Sequence, residues 1–422
     1  MHTNSPKHSS TPAHSFSKTP ALPNIPTRKL QNIKSQRHLF DLDDTVAYIN
    51  CAYMSPQLKA IKAIGEEMLQ MKAQPWKIGI TDFYGPVKAL KQEFATLIGA
   101  SNYQSIAIVP SASYGIATAV KNISIKKDQE ILLIDEQFPS NYYSWERLSQ
   151  SSGCAIRLVA PPASNKRSED WTNQIIESIN SATKVVAMGH VHWADGTLFD
   201  LVAIRQACDA VGALLIIDGT QSVGALPFDV QSIRPDMLVC GGYKWLLGPY
   251  SCGVAYFGPY FDEGIPLEEN WINRHNSEDF AGLVNYEPQY QAGAGRYSVG
   301  EHSNFQLVPQ LTAAIKQLNL WGPENIQAYC DQLSQPAIAA LLELGCQIDE
   351  SPQRAFHLFG IRLPNSINPK ELNAILREEK VMVSQRGDAI RIGPHLYNTP
   401  EEMDRLVACF RKAKENLFNP IV

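Results

Sequence analysis

Apolar positions recur three and four residues apart over 56–72 and 87–98, which predicts two amphipathic helices. Downstream, short runs rich in Val, Ile and Leu occur at 131–135, 156–159, 185–188, 214–218, 237–240 and 254–257, each of strand length. Helical patterns at 142–150, 171–179 and 201–211 separate several of them. Strands that are apolar on both faces and joined by helical crossovers predict a mostly parallel sheet covered by helices on either side. Beyond about residue 322 the order is helix, strand (356–363), helix (369–379), strands (381–383 and 389–392) and helix (401–415). The expected organisation is a large α/β domain over 41–321, whose N-terminal segment lines the site, and a small C-terminal α+β domain over 322–422.

Residues 1–40 break this pattern. They contain no Asp or Glu and are dominated by Ser, Thr, Pro, Asn, His and Lys, so they cannot bury enough apolar surface to offset ordering and are expected to form a disordered tail. The tail has no apolar secretory core; its acid-free, Ser-rich composition overlaps with that of an organellar transit peptide, but it is poor in Arg and shows no clear amphipathic helix. Over the whole 422 residues, 44% hydrophobic and 19% charged residues describe a globular chain. A net charge of -5 gives no reason to expect nucleic acid as a partner. Eight Cys, without a CxxC pair and mostly inside apolar runs, read as reduced thiols in a cytoplasmic setting and argue against structural zinc. No apolar run approaches the roughly 18–20 residues that span a bilayer, so no membrane partner is expected.

Candidate chemistry concentrates where strands end. The run at 237–240 leads into Gly241, Gly242, Tyr243, Lys244 and Trp245. A Lys between small and aromatic residues has its charged form disfavoured, which makes the amine a better nucleophile, although taken alone it also fits a Lys snorkelling from a loop. The run at 214–217 ends in Asp218, Gly219, Thr220 and Gln221. A carboxylate there sits where ligands bind in open α/β sheets and can keep a pyridinium nitrogen protonated, or it can simply cap a helix. An Asp and a Lys at two such strand ends meet the needs of a pyridoxal phosphate site. Ser111, Ala112 and Ser113 lead directly into a helix, where backbone N–H groups bind phosphate. Phe138, after the run at 131–135, could stack on a flat heterocycle or belong to the core. His190 and His192 share a strand face, but no third ligand follows at suggestive spacing, and no metal is expected.

The order Ser-Ala-Ser, Phe-Pro-Ser-Asn, Asp-Gly-Thr-Gln and Gly-Tyr-Lys resembles the class V aminotransferase family of fold type I pyridoxal phosphate enzymes, from about Tyr48 to Phe410. That family includes cysteine desulfurases, kynureninases and isopenicillin N epimerase-like proteins. The resemblance implies that Ala112 and Ser113 hold the cofactor phosphate, Phe138 stacks on the ring, Asp218 pairs with the ring nitrogen, Gln221 lies near the phenolic oxygen and Tyr243 near the phosphate. It makes Lys244 the Schiff-base residue and catalytic acid or base. It further implies a homodimer in which the segment around Ser303 reaches the partner's phosphate, with Asn50 and Arg391 binding the amino acid substrate. Departures narrow the activity: residues 383–391 form a short loop without Cys, and Tyr243 stands where desulfurases carry His, so a persulfide route is disfavoured. The expected activity is amino transfer, with a carbon-sulfur lyase or an epimerase as the alternative and a noncatalytic scaffold as the alternative of another class.

Overall fold

The computed structural model describes residues 32–418. The chain alternates between strands and helices: β1 (Ala47–Tyr48), β2 (Ile106–Val109), β3 (Glu130–Ile134), β4 (Ala155–Val159), β5 (Thr183–Gly189), β6 (Leu214–Asp218), β7 (Met237–Gly241), β8 (Gly253–Phe257), β9 (Phe359–Arg362), β10 (Val381–Met382), β11 (Ser384–Arg386) and β12 (Ala389–Ile392). Seven of them form one sheet in the order β2-β8-β7-β6-β5-β3-β4. The β3, β4, β5, β6 and β7 neighbours pair in parallel, while β8 runs antiparallel to both β7 and β2. The carboxyl ends of β2, β3, β5, β6 and β7 therefore share one edge, and this edge carries the candidate site.

Period-two alternation explains why both faces of the sheet are dry at its inner strands; the edge strand β4, which the sequence pattern also led one to expect buried, is largely exposed, with Leu158 at 46%. Ile106 and Ile108 of β2, Leu215 and Ile217 of β6, and Leu238 and Cys240 of β7 enter one core. Ala107 and Val109, Leu214 and Ile216, and Met237 and Val239 enter the core on the opposite face. Each buried Ile, Leu or Val contributes roughly 1.5–3 kcal/mol, so register is strongly fixed and the strand ends are placed with it. Helix Ala112–Asn122 lies close enough on the sheet that a Cβ on Gly115 would fall 2.7 Å from Val239 Cγ2.

A third core joins Ala47 and Ile49 to residues of β9, β10, β12 and the helices Pro323–Glu343, Pro369–Glu378 and Pro400–Phe418. Here β1 pairs in parallel with β10, and β11, β12 and β9 make an antiparallel sheet. The segment after β1 crosses to the large sheet, since Ser55 N donates to Tyr243 O (3.0 Å).

Three features depart from the sequence expectation. β2 is not announced by the pattern, because four apolar residues stop at once at Pro110. Residues 383–391 are not a free loop: β11 and β12 form a hairpin turning through Gly387 (φ +53°) and Asp388, with exposed polar residues hiding the strand signal. The folded chain also starts before residue 41. Gln36 N donates to Leu396 O (2.7 Å), Arg37 pairs with Glu402 (2.9 Å) and Phe40 is 3% exposed. The rest of the expected tail, 1–31, lies outside the described residues.

Candidate active site

A cavity of about 280 Å³ opens at the shared strand edge, lined by Ala112 and Ser113, Phe138, Trp193, Asp218, Gln221, Tyr243 and Lys244 among others. Each lining residue is placed by the end of a strand. β2 delivers Ser111, whose hydroxyl caps helix Ala112–Asn122 by accepting from Tyr114 N (3.2 Å) and contacts Ser113 Oγ (2.9 Å). The 11-residue helix thus points its uncompensated N–H groups and two hydroxyls at one end of the cavity. β3 delivers Phe138 through Glu136, which holds a left-handed φ of +55°. Phe138 is 36% exposed and packs edge-on to Trp193, with centroids 5.4 Å apart.

β6 ends in Asp218, whose carboxylate is tethered by Thr220 N (3.0 Å). Burial raises the Asp218 pKa, opposed by the Thr220 hydrogen bonds and by Lys244. β7 ends in Gly241 and is followed by Gly242, Tyr243 and Lys244. A Cβ on Gly242 would stand 2.2 Å from Cys252 O, so only glycine permits this approach. Lys244 is 7% exposed, with Nζ 5.3 Å from the Phe138 centroid and 5.4 Å from that of Tyr243. Burial, reinforced by Arg391, lowers its pKa to about 8 despite the opposing pull of Asp218. The amine is therefore far closer to its nucleophilic neutral form than a surface lysine.

Arg391 comes from β12 and is 2% exposed. Its Nη1 donates to Trp193 O (2.8 Å), its Nε has no partner, and no carboxylate pairs with it among the described residues. Burial and the nearby Arg386 charge lower its pKa to about 9. The Arg391 charge disfavours protonation of Lys244, and its contact with the cavity is through Trp193, since neither Arg391 nor Asn50 is among the lining residues.

Several expected residues have other neighbours. Gln221 lines the cavity, but its amide donates to Ala52 O (3.1 Å) and accepts from Trp245 Nε1 (2.8 Å), so both ends of the side chain are engaged by the protein. Asn50 is buried, accepts from Ser384 Oγ (3.0 Å) and bridges to Gly393. Ser303 donates to Phe83 O (2.6 Å) and lines a second, apolar cavity with Met68, Met71 and Val308. His192 faces the Asp195 carboxylate (2.9 Å) with Nδ1 and Glu136 O (3.2 Å) with Nε2, so both ring nitrogens are engaged. His190 packs edge-on to Phe228, and burial lowers its pKa to about 3.

Sequence reasoning missed three elements of the site. Tyr250 packs on Tyr243 (4.6 Å), Cys252 lines the cavity with its thiol pKa pushed up to about 12 by burial, and His357 supports the Gln221 backbone. The His357 tautomer is set by its partners: Nδ1 accepts from Gln327 Nε2 (2.8 Å), so Nε2 carries the proton donated to Gln221 O (2.8 Å). No short-range pattern announces any of the three.

The model of the family described as aminotransferase class-V matches residues 59–406. The chain belongs to the class V aminotransferase family. An uncharacterised aminotransferase of Bacillus subtilis is 27% identical, covering 83% of this chain and 89% of that protein. The isopenicillin N epimerase of Streptomyces clavuligerus is 22% identical over 86% of this chain and 94% of that one. Among solved structures, a cystine C–S lyase in complex with its product cysteine persulfide superposes with a TM-score of 0.78 at 19% identity, covering 87% of this chain and 97% of that one. A cysteine desulfurase from Thermococcus onnurineus gives 0.78 at 18% identity, covering 91% and 99%. The chain thus has the fold type I architecture and is a pyridoxal phosphate enzyme. The cavity fits that cofactor: a capped helix start for a phosphate, a tethered carboxylate for a ring nitrogen, an aromatic wall and a buried, neutral-prone lysine. No described helix is long and apolar enough to cross a membrane.

Proposed function

We propose that this class V aminotransferase-family enzyme transfers the amino group of an α-amino acid to a keto acid. The observation that carries the reading is Arg391, a buried guanidinium with an unpartnered Nε and no carboxylate partner among the described residues, held by the carbonyl of Trp193, which lines the cavity. Leaving such a charge unpaired is costly, and a planar guanidinium matches a substrate carboxylate. Bound there, the amino acid would have its Cα within the domain of Lys244. Pyridoxal phosphate, when bound, supplies the electron sink that labilises bonds at Cα. Ser113 and the N–H groups at the start of its helix would hold the phosphate, Asp218 the ring nitrogen's proton, and Phe138 one face of the ring. Lys244 Nζ, with its pKa lowered to about 8, would take a proton from Cα and return it elsewhere. We further propose that the active unit is a homodimer.

Sulfur transfer through a protein persulfide has no support in the site. Such a route needs a mobile, accessible thiolate. The segment before Arg391 is a tight hairpin without Cys, and Cys252, at the cavity wall, is buried with a raised pKa.

A screen of amino acids in both configurations tests the proposal. Amino transfer predicts keto acid in amounts equal to the subunits present when no acceptor is added, and repeated turnover once an acceptor keto acid is supplied. Turnover without any acceptor, giving pyruvate and sulfide or an inverted amino acid, would overturn amino transfer in favour of elimination or epimerisation.

A further inference from the structure

The β11–β12 register places a second guanidinium beside the first. Ser384 pairs with Arg391 and Arg386 with Ala389. Directly opposed residues share a sheet face, and residues two apart on a strand share it too, so Arg386 and Arg391 project from the same face as diagonal neighbours. Trp193 links them: its carbonyl holds Arg391 Nη1 at 2.8 Å, and its ring lies 5.8 Å from the Arg386 guanidinium carbon. The indole is itself fixed, since Nε1 donates to Glu136 O (2.8 Å) and the ring abuts Phe138.

No acid balances this pair. Asp388, two residues beyond Arg386, is turned to Arg362 (3.2 Å). Arg386 Nη1 reaches only the adjacent Gln385 O (2.7 Å), and no carboxylate pairs with Arg386 among the described residues. Its charge is felt at both Arg391 and Lys244. Two guanidinium groups thus gather at Trp193, which lines the cavity with Lys244 although neither arginine is itself a lining residue, while Asp218 sits at the end of β6. Like charges brought close to one another repel, and an anion held between them would offset that repulsion. Arg391 accounts for one carboxylate, and Arg386 calls for another.

We propose that Arg386 reads a second anionic group on the substrate, so that the enzyme prefers an acidic α-amino acid and the matching dicarboxylic keto acid. The inference rests on Arg391 as the anchor of the α-carboxylate. Trp193, by stacking on Arg386 and holding Arg391, sets the separation of the two guanidinium groups and acts as a positioning residue for both.

The test uses the holoenzyme, Arg386→Gln and Arg386→Lys. Values of kcat/KM are compared for glutamate with glutamine and for aspartate with asparagine, and glutarate binding is compared with butyrate binding by calorimetry. The expected wild-type preference is at least tenfold for the acid over its amide and for glutarate over butyrate. Arg386→Gln should reduce both ratios at least tenfold, with Arg386→Lys between. An acid-to-amide ratio near one in the wild type, or a ratio unmoved by Arg386→Gln, would overturn the inference while leaving the amino acid reading intact. A fall in cofactor affinity in Arg386→Gln with the ratios unchanged would reassign Arg386 to the cofactor phosphate and overturn it as well. If no amino acid is turned over but glutarate still binds in an Arg386-dependent way, the second-anion site stands and the proposed function falls.

Discussion

Replacing Lys244 with Met should make the cofactor-free protein more stable at neutral pH while abolishing turnover. Lys244 is 7% exposed, and its pKa is lowered from 10.5 to about 8, mainly by burial and then by Arg391. Below pH 8 the folded protein carries a charged amine that the unfolded chain accommodates more easily, so the penalty is fully present there. It fades as pH rises from 8 through 10.5, and vanishes only above 10.5, where the unfolded chain's amine is neutral too. At 1.36 kcal/mol per pH unit the cost is about 3 kcal/mol at pH 7, about 2 at pH 9 and under about 0.5 at pH 10.5. Methionine fills similar volume without charge. Urea unfolding of the two cofactor-free proteins, at fixed protein concentration and at these pH values, should show a Met gain of that order at pH 7 that shrinks with rising pH. A variant no more stable than the wild type at pH 7, or a gain independent of pH, would refute the reasoning. The trade of stability for a reactive amine is the expected signature of a functional site.

Asp218→Asn keeps the shape and removes the charge, so it should weaken cofactor binding and lower kcat by at least tenfold; an unchanged kcat would refute a role for the carboxylate in holding the ring proton. Arg391→Ala should raise KM for the amino acid by about 30-fold or more, from the roughly 2–5 kcal/mol lost when one member of a buried charge pair is removed. The cofactor absorption should be unaltered in that variant, and an unchanged KM would remove Arg391 from substrate binding. Incubation of the enzyme with cysteine, followed by mass analysis, should show no protein persulfide, since the described Cys residues are all buried.

What the sequence could disclose follows from the range of the forces involved. The strands β3, β5, β6, β7 and β8 were legible because each is an apolar run on a doubly covered sheet, bounded by glycine or polar residues. Asp218 and Lys244 were legible with them, since a strand end needs only local pattern to be found. β2 stops too soon at Pro110, and the Gln385-containing strand β11 carries no apolar signal. Arg386 stayed hidden for the same reason: its meaning depends on a register that sets it diagonally to Arg391 and on a Trp193 almost 200 residues away in sequence. His357, Tyr250 and Cys252 likewise reach the site through tertiary packing alone. The second hydrogen-bonding end of Gln221 could not be foreseen either, because its partner is the Trp245 indole across the loop.

The central claim, that the buried amine of Lys244 is the attachment point of pyridoxal phosphate, is tested most directly by trapping. The holoenzyme is reduced with borohydride and digested, and the labelled peptide is mapped by mass spectrometry. The account predicts one label per subunit, on Lys244. A label on any other lysine, or none on a protein that binds the cofactor and turns over, would contradict it.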